Sequence, residues 1–592
     1  MALIGIDLGT TNSLVAVWED GHPSLLKNSL GSVLTPSVIS INDDGNILAG
    51  EVAKQRLVSH PGLTVSEFKR TMGTDYIYHL GSRQYRSEEL SAFLLKKMIS
   101  DAEEQLGTPV TEAVISVPAY FDDNQREATK LAARIAGVEV KRLINEPSAA
   151  ILYRQWKMRD IEAEPDGIYI VVDFGGGTLD ISIVDCFENI IEIVAVSGDN
   201  KLGGKDFDKA VALDFCERNN LSFEALDNNT KHNLLWCAEE VKRSLSDSST
   251  ASMRVNIHGT IYEHVYTEGE LLDACAKVLG KIKSIINNAV NGAKISVDEI
   301  TDVVLVGGSC KMPIVQKYIS ALFKRNVTAD DDIDNYVGYG TGVLTGIIRR
   351  DGYIRDIVMT DVCPFSLGVG TRMNDSSPEY MSVIIPKNSI LPISKSATYA
   401  GLTPFQKRLG FKIYQGEEML ANANLLLDSF GIDVIPDANG DTAVEVTFTY
   451  DTNGLLEVSA RDLNGPLTFE KNILSKSSQL SESEIAGKRA YMNNNMHLEK
   501  DKEENRRIMA WAQRLHAQAD TEDKVRVISI IKDFSTALEN NNPAQIARTR
   551  KRVSQQLLCM DLIINHHNFD DEDIIRKLQA DIAKEQAEYA DE

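Results

Sequence analysis

Two apolar runs in this chain end in the same way, with an aspartate followed at once by glycine and threonine. The first reads Gly5-Ile6-Asp7-Leu8-Gly9-Thr10-Thr11-Asn12 and the second Val172-Asp173-Phe174-Gly175-Gly176-Gly177-Thr178-Leu179-Asp180. A strand that breaks into glycine can turn sharply and bring bare backbone close to a ligand, because no Cβ intrudes. The N–H groups and hydroxyls of such a turn suit phosphate oxygens. A strand-end carboxylate supplies the hard oxygen that Mg²⁺ prefers. Either Asp7 or Asp173 alone reads as a capped turn. Two copies facing each other would grip a nucleoside triphosphate from both sides, with Asp7 and Asp173 holding a hydrated Mg²⁺. Thr10, Thr11 and Thr178 would then meet the phosphates, and Asp180 would orient the metal's waters.

Other candidates are weaker when read by themselves. Lys69, in Glu67-Phe68-Lys69-Arg70, could neutralise charge on a transferred phosphate, although a solvated surface lysine is the commoner outcome. Glu146, in Ile144-Asn145-Glu146-Pro147, could act on an attacking water or simply cap a turn. Gly307, Gly308 and Ser309 close another strand and offer bare backbone to a nucleoside. Glu239 and Lys242 share a helix face, either to hold a ribose or as an i,i+3 ion pair. The chain contains neither the Gly-x-x-x-x-Gly-Lys-Ser/Thr loop nor the Gly-x-Gly-x-x-Gly dinucleotide pattern.

At 592 residues the chain is too long for one core. A net charge of −24 disfavours nucleic acid and anionic membrane as partners. No apolar stretch approaches the ~18 residues of a membrane span, and the start lacks a secretory pattern, so a cytoplasmic protein is expected. Seven scattered cysteines without a Cys-x-x-Cys pair read as free buried thiols.

Residues 1–352 alternate strand-like runs (113–117, 168–172, 303–306) with helical stretches (123–136, 233–245), which predicts a mostly parallel α/β core, internally duplicated. Residues 353–362 are a linker whose apolar string 357–360 should dock somewhere rather than lie bare. Residues 363–476 predict an antiparallel β domain. In it, Val444–Tyr450 alternates strictly, Asp451-Thr452-Asn453-Gly454 makes a turn, and 455–460 returns. Residues 477–592 predict a helical domain opened by the capping box Ser481–Glu484 and broken at Asn540–Pro543. The neighbours His566 and His567 read as surface residues, and the chain from Lys584 as a frayed end.

These segments resemble the DnaK-type heat-shock chaperones, the seventy-kilodalton class. The resemblance rests on the two turns, Val117-Pro118-Ala119-Tyr120-Phe121, Ile144–Pro147, Gly203-Gly204 with Asp206-Phe207-Asp208, and Asp361-Val362-Cys363-Pro364-Phe365-Ser366-Leu367-Gly368. The shortened stretch after Arg70-Thr71-Met72-Gly73 looks more like the HscC branch. The resemblance implies an actin-like, two-lobed ATPase domain, a β-sandwich that binds apolar segments of non-native polypeptides, and a helical lid. It also implies ATP and ADP with Mg²⁺, with K⁺ as a further ion, and a J-domain co-chaperone. Lys69, Glu146 and Thr178 match the family's catalytic residues. Asp7, Gly9, Thr10, Thr11, Asn12, Asp173, Gly175, Gly176, Gly177, Asp180, Gly203 and Gly204 match its metal and phosphate residues. Glu239, Lys242 and Ser246 match the adenosine clamp, with Gly307, Gly308, Ser309, Lys311 and Asp334 also in the nucleotide set. Pro118, Arg126, Arg142 and Asp361 match interdomain coupling positions. Tyr399, Ala400, Leu409 and Phe411 match the peptide cleft, and Arg372 and Leu402 fall at its arch.

Three departures stand out. Lys205 occupies a usually acidic position, and Lys311 replaces an arginine and so lacks its planar fork. The segment between Ser246 and Glu270 is short where housekeeping members meet their exchange factor, which leaves recognition of that partner open. A metabolite kinase or a scaffold on the same fold would share the twin turns but has no use for residues 363–592.

Overall fold

A computed structural model describes residues 2–158, 166–187, 190–257, 259–330, 332–351, 357–374, 377–403, 405–436, 442–451, 456–466, 468–473, 480–496, 500–540 and 542–565. Residues 452–454 of the expected turn, residues 353–356 of the linker, His566, His567 and the end of the chain lie outside the described residues.

Two mixed sheets carry the twin turns. In the first, the order is Glu139–Asn145, Val110–Val117, Ala2–Asp7, Asn12–Glu19, His22–Leu26. In the second it is Ile300–Val306, Gly167–Phe174, Leu179–Phe187, Ile190–Asp199, Val358–Thr360. The expected mostly parallel core is corrected here. Each Asp–Gly turn sends its strand straight back as an antiparallel neighbour, Asp7 opposite Leu14 and Asp173 opposite Asp180. Parallel pairing survives on the other side of each turn-bearing strand. A two- to four-residue turn cannot reach a parallel register, which needs a long crossover. The same local arrangement therefore occurs twice, as the repeated motif implied.

The strands at both turns are buried on both faces, which is why their sequences are continuous apolar runs. Helices Glu146–Met158 and Tyr336–Ile348 fill the space between the sheets, with Ile151, Leu152, Val171, Val304 and Val343 in one buried cluster. Helix Asp123–Ala136 opens with Asp122 accepting the Gln125 N–H and ends at Gly137 in the left-handed region.

The apolar linker string does dock. Val358–Thr360 adds to the second sheet as a parallel edge strand beside Ile190–Glu192. Beyond it, two four-stranded antiparallel sheets share one apolar core. One holds Leu367–Thr371, Tyr380–Ile385, Arg408–Gln415 and Leu425–Asp433. The other holds Ile393–Ala400, Ala443–Tyr450, Leu456–Asp462 and Thr468–Ile473.

Four helices follow: Glu482–Asn495, Lys500–Gln518, Thr521–Glu539 and Pro543–Asn565. The first is opened by the Ser481–Glu484 capping box and packs Ile485 and Met492 into the core of the first sheet. The other three share a core of their own around Leu515, Val527, Phe534 and Leu557. Among the described residues no helix is long and apolar enough to cross a membrane.

Candidate functional site

The twin turns meet at a cleft of about 880 Å³, within the range of small-molecule sites. They press together so closely that side chains would not fit. A Cβ on Gly176 would stand 1.7 Å from Thr11 Oγ1, and one on Gly177 would stand 2.2 Å from Thr10 Cγ2. Asp7, Gly9, Thr10, Thr11 and Asn12 line the cleft from one side, and Asp173, Gly175, Gly176, Thr178 and Gly204 from the other. Gly177, Gly203 and Asp180 stand just behind this wall. Asp180 accepts the Tyr120 N–H at 3.0 Å.

Lys69 is not the solvated lysine that its local sequence suggests. It is 3% exposed, and Nζ donates to Glu146 Oε1 at 2.6 Å. Its 3₁₀ turn Phe68–Thr71 is entered through Glu67 in the left-handed region, which swings Lys69 inward. Lys69 therefore faces four carboxyls, those of Glu146, Asp173 and Asp180 buried and that of Asp7 partly so. Burial, then the Glu146 charge, pushes Asp7 up to about 7, with Ser116 and Lys69 pulling the other way. Burial and Glu146 likewise push Asp180 up to about 7. Asp173 is raised well above its usual range, again by burial first and then by Glu146.

The arrangement fits a hydrated divalent ion. Asp173 Oδ2, Asp180 Oδ2 and Thr11 Oγ1 are buried with no hydrogen-bond partner among the described residues. Such orphaned oxygens call for a ligand. Among the described residues no three acidic, histidine or cysteine side chains converge tightly enough to ligate a metal directly. An ion held through its waters and the phosphates satisfies both facts.

A pH dependence follows from the same carboxyls. Asp7 and Asp180 titrate at 3.8 when unfolded and at about 7 when folded, so the folded state holds the extra protons between those values. Their contribution to folding is present at low pH and is lost as pH climbs through that window. The slope is about 1.4 kcal/mol per pH unit for each proton taken up, and the coupled cluster shares its protons. In EDTA and without nucleotide, Tm should fall between pH 5 and pH 7.5, and Mg²⁺ with ADP should flatten the slope. A metal-free Tm that rises over that interval in a thermal-shift series would contradict the reading.

The residues expected to hold a nucleoside pair differently from expectation. Glu239 and Lys242 do not pair with each other. Glu239 pairs with Lys205 at 2.6 Å and with Arg243 at 2.9 Å, while Lys242 pairs with Asp208 at 2.6 Å. Burial acts to raise Glu239, but Lys205, Arg243 and Lys242 outweigh it and hold the carboxyl below its usual range. Lys205, the departure at a usually acidic position, is thus the centre of this network. Ser246, Gly307, Gly308, Ser309, Lys311 and Asp334 also line the cleft. Ser309 Oγ donates to Gly175 O at 2.7 Å, and Lys311 donates to Asp334 at 2.5 Å. Sequence reasoning missed Arg243 and Arg70. Arg70 joins the turns to the helix start, donating to Gly177 O at 3.0 Å and Asp206 Oδ2 at 2.7 Å. An arginine beside a named lysine or glutamate was the only signal available.

The coupling candidates form one chain of contacts. Arg126 donates to Asn145 Oδ1 at 2.7 Å, and Asn145 Nδ2 donates to Asp361 Oδ2 at 2.5 Å. Asn145 is the neighbour of Glu146, so the line runs from the cleft to the linker. Arg142 is half-buried on the same strand, its pKa lowered by burial and raised by Asp361. Pro118 directly follows the strand Val110–Val117, and Arg126 Nε reaches back to Phe121 O at 3.2 Å.

In the β domain, Leu409 and Phe411 are each 5% exposed within the core, and the Tyr399 ring stands 5.8 Å from Phe411. Ala400 and Leu402 are exposed. Arg372 is no isolated rim cation: it approaches Glu379 at 3.5 Å, and Lys412 binds the same carboxylate at 3.0 Å.

The family model described as Hsp70 protein matches residues 3–79 and 76–560. Two proteins named chaperone protein DnaK, from Thermotoga petrophila and Thermotoga sp. strain RQ2, are each 36% identical to the chain over 498 residues. Each alignment covers 82% of this chain and 82% of the relative.

Proposed function

The chain belongs to the Hsp70 family and is an ATP-dependent molecular chaperone of the DnaK type, an ATPase, and we propose how its residues divide that work. The kinase and scaffold readings have no support beside this membership. Family membership carries the use of nucleotide with Mg²⁺ and the binding of unfolded polypeptides and co-chaperones in general. The finer assignments that follow are our own.

Residues 1–352 form an actin-like ATPase of two lobes, one around each turn-bearing sheet. Residues 353–362 are the linker, 363–476 a peptide-binding β-sandwich and 477–592 the lid. The N–H groups around Gly9–Thr11 and Gly175–Thr178 hold the β- and γ-phosphates. When bound, Mg²⁺ supplies charge neutralisation at those phosphates, with Asp7 and Asp173 holding it through water. Lys69 lies against the transferring phosphate and stabilises the charge that develops there. Glu146, aligned by Lys69, orients the attacking water, and the Thr178 hydroxyl meets the γ-phosphate. Lys205, at a position where the family usually carries an acidic residue, pairs with Glu239, which Arg243 also holds, so the ribose is held by a carboxylate fixed from both sides.

The observation that carries this reading is the single buried Lys69–Glu146 pair set among three raised aspartates at the junction of two glycine turns. A site built for phosphoryl transfer needs that one cation beside several latent anions. A J-domain partner acting at Arg142 and Asp361, the HscC-like branch, cytoplasmic residence and a K⁺ ion beside the phosphates belong to the same proposal on the strength of the resemblance. The decisive experiment measures ATP turnover with and without an unfolded apolar peptide. Stimulation by peptide is expected. Turnover indifferent to peptide but raised by a sugar or another small phosphate acceptor would overturn it.

Leu409 tests the client site. Leu409→Phe should overfill the pocket between the sheets, a change that typically costs about 1–3 kcal/mol in packing terms. Peptide affinity should fall by that amount while basal turnover stays unchanged. Identical fluorescence-anisotropy titrations for both proteins would show Leu409 to be ordinary core.

A further inference from the structure

Helix Lys500–Gln518 lies across the mouth of the nucleotide cleft and touches both lobes. Five of its residues, Glu503, Arg507, Ala510, Arg514 and Gln518, recur at helical spacing and so share one face. On the first lobe, Ala510 packs among Val38, Leu48, Val52 and Ala53. Glu503 accepts from Ser29 Oγ at 2.6 Å and pairs with Lys97 at 2.9 Å. Arg514 Nε donates to Gln55 Oε1 at 2.7 Å.

On the second lobe, the same Arg514 guanidinium stands 4.5 Å from the centre of the Trp236 ring. Gln518 Nε2 donates to Asn233 Oδ1 at 3.0 Å. Trp236 and Asn233 belong to helix Asn228–Asp247, the helix that carries Glu239, Lys242 and Arg243 into the cleft. Arg514 and Gln518 are 2% and 5% exposed, and Arg514 is held in place by Gln518 at 2.8 Å and by Asp561. These are buried, geometrically fixed contacts, the kind whose loss is felt.

Between the anchors, Arg507 lines the nucleotide cleft. Its Nε is buried with no hydrogen-bond partner among the described residues. A guanidinium left short of an acceptor beside a cleft suits an anionic or aromatic ligand, which it can bond through its planar fork or stack upon.

We propose that helix Lys500–Gln518 is a clamp, built into the chain, on the bound nucleotide. Arg514 and Gln518 tie the lobes together across the mouth, and Arg507 adds a direct nucleotide contact from the helical domain. Nucleotide then leaves quickly only when this domain lifts away. The clamp rests on the ATPase reading above and gives the helical domain a second task beside covering the peptide.

The test uses the full chain and fluorescent nucleotides chased with unlabelled ATP in stopped flow. The nucleotides are a non-hydrolysable ATP analogue and ADP. Arg514→Ala, Gln518→Ala and, from the opposite lobe, Asn233→Ala should each release the ATP analogue about fivefold faster or more, the scale of one coupling between sites. Asn233→Ala leaves the helical domain itself untouched, so its acceleration cannot come from a misfolded bundle. Arg507→Ala should also accelerate release, with Arg507→Lys recovering part of the loss. With peptide and ADP present, the condition in which the clamp should lift, the same variants should match wild type within about twofold. Release of the ATP analogue at wild-type rates in Asn233→Ala and Gln518→Ala overturns the clamp and leaves the ATPase reading standing. A chain that binds neither nucleotide overturns both.

Discussion

Lys69→Ala should bind ATP almost as the parent does and hydrolyse it about 10²-fold more slowly or worse, the scale of removing one preorganised electrostatic group. On the proposed reading binding survives because the backbone of the two turns, which the substitution does not touch, grips the phosphates. Hydrolysis fails on the same reading because Lys69 is, among the described residues, the ammonium paired with Glu146, at 2.6 Å. Without it, Glu146 loses its fixed orientation and the transferring phosphate loses its neutralising charge. Glu146 would also sit buried beside Asp7, Asp173 and Asp180 without its cation. Thermal melts with and without ADP separate this local cost from unfolding. Single-turnover hydrolysis within threefold of the parent, with melts unchanged, would remove Lys69 from the catalytic set.

The features that could be read from the chain alone were those written locally. Each Asp–Gly–Thr turn is complete within ten residues, so its presence and its phosphate chemistry were visible. The direction of the strand after it was not. Mostly parallel pairing was expected because strands alternate with helices over hundreds of residues, yet the short turns at Gly9 and Gly175 dictate antiparallel return. Lys69 looked solvated because its partner Glu146 arrives from the start of a distant helix, Glu146–Met158. Glu239 and Lys242 looked like an i,i+3 pair, a weak interaction of about 0.2–0.5 kcal/mol. The buried cluster of Lys205 and Asp208 from the neighbouring helix outvotes it.

The helical tail shows the same limit from the other side. Nothing in helix Lys500–Gln518 is singled out by the sequence beyond its charge, yet Arg514 is almost fully buried. The greasy linker string was legible in part: its composition demanded a partner, but nothing in it named the edge of the second sheet.

Tyr450→Phe should largely disconnect the β domain from the nucleotide. Tyr450 is 1% exposed, and its hydroxyl donates to Asp123 Oδ1 at 2.5 Å across the junction between the ATPase and β domains. Gln415 closes the junction, accepting the Asp123 N–H at 3.1 Å and donating to its carboxylate at 3.3 Å. Asp123 opens the helix that carries Arg126, whose contacts run through Asn145 to Asp361. Burial already raises the Asp123 carboxyl to about 6, against the pull of Tyr450 and Arg126. Removing one hydroxyl leaves that carboxyl buried with a bond missing, a cost of about 1–3 kcal/mol that falls only on the arrangement in which the β domain is docked on the Asp123 helix. The docked population should drop by about 5–150-fold, the same energy expressed as a ratio. ATP should therefore speed peptide release far less in the variant than in the parent, while peptide affinity without nucleotide stays within about twofold. In a double-mutant cycle with Asp123→Ala the two effects should be less than additive, since the Tyr450 hydroxyl has no carboxylate to lose once Asp123 is gone. Strictly additive effects, or an undiminished acceleration of peptide release by ATP in Tyr450→Phe, would show that this junction does not carry the signal.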